Sequence, residues 1–142
     1  MVGPARRFKT ADIAQQVVGG FLLAGPFVVT AEVWQLAASM SALQGLVTVA
    51  IVFAIGYGAL YKAEDRDPDR ERDVGGVPIR FVSLMGVAFG SVLVLALALD
   101  APATFLADLG VPRDQHLLVT AKAVSVGAIF SVVGAASADS VF

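Results

Sequence analysis

The chain has 142 residues, 57% of them hydrophobic and 15% charged, against about 45–50% and about 25% in an ordinary soluble domain. Lipid is therefore the expected solvent for much of a single domain, and a formal net charge of −2 argues against a nucleic-acid partner. With no cysteine and His116 as the one histidine, disulfides, thiolate metal sites, Fe–S clusters and cysteine nucleophiles are excluded within one chain, and neither a metal nor a cofactor is expected.

Four windows approach the roughly 20 apolar residues that a bilayer-spanning helix needs: 16–39, 43–61, 79–99 and 116–137. None alternates with period two, and open strands cannot satisfy their backbone in lipid, so all four are predicted helices. The predicted fold class is an all-α membrane protein, a four-transmembrane-helix bundle. The first window is preceded by Arg6, Arg7 and Lys9 as a signal peptide would be. Its apolar stretch is too long for one and holds Glu32 and Trp34, so it reads as a retained helix.

Within that window Pro26 removes one backbone hydrogen bond and predicts a kink, with Gly19, Gly20 and Gly25 close by. Thr30, Gln35 and, in the second window, Gln44 add polar groups near one end. The second window carries Ala54 and Gly58, and ends in Tyr57 and Tyr61, rings that favour the headgroup region. Trp34 is assigned the same role at the opposite boundary.

Between the second and third windows, residues 62–78 mix both charge signs and close on Val74, Gly75, Gly76, Val77 and Pro78, which break any helix. Lys62, Arg66, Arg70, Arg72 and Arg80 fall in this connection or at its end, and Arg6, Arg7 and Lys9 at the N-terminus, whereas the other side carries only Arg113. Positive residues stay inside, so both termini and this loop are expected in the cytoplasm and the protein in the cell membrane.

The third window has Gly86 and Gly90 at GxxxG spacing, and the fourth has Ala123, Gly127, Ser131 and Ala135 at every fourth position. Both patterns permit close helix contact, inside the bundle or in a homo-oligomer. In the connection 100–115, Asp100 is expected to cap a short surface helix with Pro102 in its first turn, Phe105, Leu106 and Leu109 on one face and Gly110 at its end. His116 is placed to meet Asp100. Asp139 is expected at the inner surface.

Two ionisable residues lie well inside windows, Glu32 and Lys122. On continuous helices both sit roughly 9–10 Å below the outer boundary, so they are expected to pair, within a chain or between chains, with Thr120 and Ser125 beside Lys122. Two readings of the pair stand. Intramembrane charges mark ion and proton pathways by default, yet buried ion pairs also serve only to fix packing. An inward Glu32 would turn Trp34, about 200° round the helix, toward lipid.

The run from Gly20 to Trp34, with Gly25, Pro26, Thr30 and Glu32 inside it, resembles the first helix of an uncharacterised family of small prokaryotic multi-pass membrane proteins. The ending from Val133 to Ser140, with Asp139, is similar to that family too. The resemblance implies an integral membrane protein and assigns no activity. Glu32 also resembles the carboxylate in the first of the four helices of small multidrug exporters, which implies proton-for-cation exchange, although Lys122 would oppose a cationic substrate. A lysine in the last helix facing a carboxylate is similar to retinal proteins, but four helices and one tryptophan make a poor cage.

No GxGxxG, P-loop, HExxH or GxSxG stands in a fitting context, so an enzyme is not expected. The expected function is a homo-oligomeric channel or transporter for protons or small ions, with Glu32 and Lys122 as gating or coupling residues. The alternatives are a non-transporting scaffold or accessory subunit and a small proton-coupled exporter.

Overall fold

The computed structural model describes residues 10–62, 67 and 73–141. The expected loop charges at Arg6, Arg7, Lys9, Arg66, Arg70 and Arg72 lie outside the described residues. Six α-helices follow in order: α1 (Thr10–Val28), α2 (Ala31–Ser39), α3 (Ala42–Tyr57), α4 (Ile79–Ala98), α5 (Ala101–Asp108) and α6 (His116–Val141). Among the described residues, four helical stretches are long and apolar enough to cross a membrane: Thr10–Val28, Ala42–Lys62, Ile79–Ala98 and Arg113–Asp139.

α6 is the central helix. It packs against α1, α2, α3 and α4, and 61% of its span is buried, against 22–33% for the others. The small side chains explain how it fits. Ala123, Ser131 and Ala135 are fully buried, and a methyl on Gly127 would sit 2.8 Å from Val92 Cγ1 of α4. The closest approach is between α1 and α6. A Cβ on Gly19 would overlap the carbonyl oxygen of Gly134 and lie 2.7 Å from Ala138 Cβ, and a Cβ on Gly134 would overlap the Gly19 carbonyl in return. One turn along, Ser131 Oγ donates to Gly20 O at 3.1 Å. Without a hydrophobic drive between helices in lipid, this close van der Waals and polar contact holds the pair together.

Gly86, Gly90 and Gly58 meet nothing within 4 Å, and Ala54 is exposed. These small residues face away from the bundle, so packing inside it is not their role.

The first predicted helix is two. α1 begins at Thr10, ahead of the apolar window, and ends at Val28; Thr30 is extended (φ −107°, ψ 138°) before α2 resumes. Pro26 supplies no N–H to the turn before it, and two bonds from Thr30, Oγ1 at 3.0 Å and N at 3.3 Å, both go to Phe27 O. The chain thereby leaves the helix three residues past the proline. α3 starts on a complete capping box, with Ser41 Oγ accepting from Gln44 N at 3.1 Å and Gln44 Oε1 accepting from Ser41 N at 2.8 Å.

α5 covers α2 and α6 at one end, with Leu106 fully buried and Phe105, Leu109 and Val111 packed on the same cluster. It ends in a Schellman motif: Gly110 takes φ 68°, Gly110 N donates to Ala107 O at 3.1 Å and Val111 N to Leu106 O at 3.0 Å. Asp100 enters the helix differently from expectation. It sits in the left-handed region at φ 56°, and its side chain makes no cap bond. At the other end Asp73–Val74 and Val77–Pro78 form a two-stranded hairpin leading directly into α4.

Candidate functional site

The Glu32–Lys122 pair is not made within the chain. The break at Val29 and Thr30 rotates α2 away from the continuation of α1, so the depth and facing read from one straight helix do not hold. Glu32 is exposed, and Trp34 is fully buried. The opposition of these two side chains survives with their roles exchanged. Trp34 Nε1 donates to Val28 O at 2.9 Å, satisfying a carbonyl that the break frees, and its ring stacks on Phe105 with centroids 6.0 Å apart. Trp34 is thus an internal tie rather than a lipid-facing anchor.

Lys122 is 9% exposed and donates from Nζ to Met40 O, the carbonyl at the C-terminal end of α2. Its stem lies on Gly45 of α3, Cγ being 3.4 Å from where a Cβ there would sit. Among the described residues no carboxylate pairs with it. A cation at a helix C-terminus is stabilised by the helix dipole and by the unsatisfied carbonyl. Lys122 therefore ties the α2–α3 corner to α6, and Lys122→Met is expected to lower stability by about 1.5–3 kcal/mol, the range for a hydrogen bond to a charged group. Thermal unfolding in detergent checks this; an unchanged midpoint would remove the tie.

The other predicted residues disperse. Ser125 Oγ donates to Ala121 O at 2.9 Å within its own helix, and the Gln44 side chain is committed to the capping box with Ser41. Thr120 is half-buried beside Lys122 in sequence. His116 Nε2 lies 2.9 Å from Val111 O, not against Asp100, which is exposed. Pro26 and Thr30 shape the α1–α2 break.

The structure instead assembles a buried polar network at the end opposite α5, from three spans. Asp12 comes from the first turn of α1, Arg80 from the first turn of α4 and Asp139 from the end of α6. Arg80 Nη1 donates to both carboxylate oxygens of Asp139, at 2.8 and 2.9 Å. Arg80 Nη2 lies 3.7 Å from Asp12 Oδ2. Gln16 Nε2 donates to Asp139 Oδ2 at 3.2 Å, and Ser83 Oγ donates to Gln16 Oε1 at 2.7 Å. Arg80 is 3% exposed, Asp139 5%, Asp12 8% and Gln16 0%. One guanidinium nitrogen thus spans both carboxylate oxygens, a charge-assisted contact.

Sequence reasoning missed this set, having counted Arg80 among the loop charges and Asp139 as a surface residue. A signal was present. Asp12, Gln16, Gly20 and Ala24 are spaced by four, so the polar pair continues the small-residue face that buries against the bundle.

Searches among curated proteins and among solved structures gave no match to the chain. A family model does match it, over residues 5–139. With four apolar spans in place and nearly its whole length matched, the chain belongs to the family described as "Putative integral membrane protein (DUF2391)".

Proposed function

We propose that the protein is a homo-oligomeric channel or transporter for protons or small cations, and that Asp12, Arg80 and Asp139, rather than Glu32 with Lys122, handle the charge. One observation carries this reading: ionisable residues from three spans meet in a single network, each residue less than a tenth exposed. Ionisable groups buried between membrane-spanning helices mark ion and proton paths by default.

Accessibility is graded. The Asp12 side chain is 12% exposed and that of Asp139 0%, so a proton or cation arrives at Asp12 and competes there with the Arg80 guanidinium. Gln15, one turn from Asp12 on α1, has a buried Oε1 without a hydrogen bond, an acceptor that water or a cation would satisfy. The Lys and Arg bias of the sequence favours the cytoplasm for this end. The Gly19–Gly134 contact fills the space between α1 and α6, which favours a route completed by more than one copy.

A second reading, a non-transporting scaffold, is favoured by the saturated Arg80–Asp139 geometry, which also serves as a clasp. Proton and cation flux in proteoliposomes separates the two. Wild-type flux that Asp12→Asn lowers by about tenfold, the effect of ~1.4 kcal/mol on a barrier, while Glu32→Gln leaves it unchanged, is the expected result. Loss in Glu32→Gln alone would return the site to Glu32 and the exporter mechanism. Absence of flux from folded wild type would leave the scaffold.

A further inference from the structure

The hairpin ahead of α4 carries an apolar pair that the bundle does not use. Asp73 pairs with Pro78 and Val74 with Val77 in antiparallel register. The turn is Gly75–Gly76, at φ 60° and 88°, the two positive values that a tight two-residue hairpin needs and that glycine adopts freely. Such a turn fixes the register and sets Val74 and Val77 directly across from each other on one face, with Asp73 and Pro78 on the other. Val74 is 55% exposed and Val77 40%.

The position of the hairpin says what this face meets. Pro78 runs straight into Ile79, the first residue of a membrane-spanning helix. Two residues further, Phe81 is in edge contact with Tyr57, centroids 6.1 Å apart, and the Tyr57 ring is tilted against Tyr61 with centroids 5.0 Å apart. Tyr57, 40% exposed at the end of its span, marks the headgroup region, whereas Tyr61 is buried in the bundle. The next outward-facing residue of α4, Val82, is 42% exposed and continues the apolar surface into the span. A short, rigid, uncharged tip at that depth is suited to the boundary between headgroups and acyl chains.

We propose that the Asp73–Pro78 hairpin is an interfacial anchor that seats Val74 and Val77 in the lipid bilayer surface beside the start of α4. This inference stands on the hairpin and its depth, and is independent of any transport.

The chain has no cysteine, so single nitroxide labels can be placed at Val74→Cys, Val77→Cys and Asp73→Cys in the full chain, reconstituted in phosphatidylcholine–phosphatidylglycerol vesicles. Collision rates with oxygen and with a water-soluble nickel chelate then report depth. The expected result is a positive logarithm of the oxygen-to-nickel ratio at 74 and 77 and a negative one at 73. Nickel access at 74 and 77 equal to that at 73 would overturn the anchor. Shielding of 74 and 77 from both reagents would overturn it as well, by assigning the pair to a protein contact. Monodisperse elution of each variant in detergent, with Trp34 emission as in wild type, establishes that the labelled chains are folded.

Discussion

Gly19→Val and Gly134→Val are expected to unfold the bundle or to lower its stability by on the order of 3 kcal/mol or more, the upper part of the range for overpacked cores and beyond. The reason is the nature of the neighbour. An added Cβ at either glycine meets the backbone carbonyl of the other, and a backbone cannot rotate aside as a side chain can. Relief requires α1 and α6 to separate, which stretches the Ser131–Gly20 bond and the Gln16–Asp139 bond on either side of the contact. Gly86→Ala and Gly90→Ala provide the contrast. Nothing lies within 4 Å of either added methyl, and alanine gains about 1 kcal/mol of helix propensity over glycine. Thermal unfolding in detergent should show a large fall in the first two variants and no fall in the second two. A Gly19→Val protein that melts with wild type would refute the contact.

Arg80→Gln should cost about 3–5 kcal/mol, because it leaves Asp139 buried and without the guanidinium nitrogen that both its oxygens share. Asp139→Asn should cost less, because Asp12 Oδ2 remains 3.7 Å from Arg80 Nη2 and the amide keeps one acceptor oxygen. Replacing both together, Arg80→Met with Asp139→Leu, should recover much of that loss, since buried ion pairs often contribute little net stability over apolar residues of similar volume. Denaturant titration of the three variants measures the coupling directly. If Arg80→Gln alone is as stable as wild type, the pair makes no net contribution and the polar network has no structural weight.

The four spans were legible because length and hydropathy determine them almost alone: lipid leaves a helix no other solution, whatever its neighbours. The short helix from Ala101 to Asp108 was legible from Pro102, the apolar face at Phe105, Leu106 and Leu109, and the glycine stop at Gly110. Its entry was not, because a left-handed Asp100 has the same sequence signature as a capping one. The pairing of Glu32 with Lys122 rested on equal depth along straight helices, and a break three residues beyond Pro26 changes both depth and facing. Proline announces a disturbance but does not say whether the helix bends or stops. Trp34 shows the same limit from the other side: its indole N–H is committed to Val28 O, a carbonyl available only because the helix stops there. The Asp12–Arg80–Asp139 network was hidden for another reason. Each member sits at a helix end, where sequence alone does not separate a buried charge from a solvated one.

The central place of α6 bears on how the protein is made. It follows the other spans in chain order, so during translation α1 and α4 reach the membrane before the helix that joins them. Until α6 inserts, Gln16 and Arg80 lack their contacts to Asp139, and Gly19 and Gly20 lack the surface they fit. In that interval the faces of α1 and α4 that pack on α6 are uncovered. α6 thus supplies, later in the chain, the surface that α1 and α4 share.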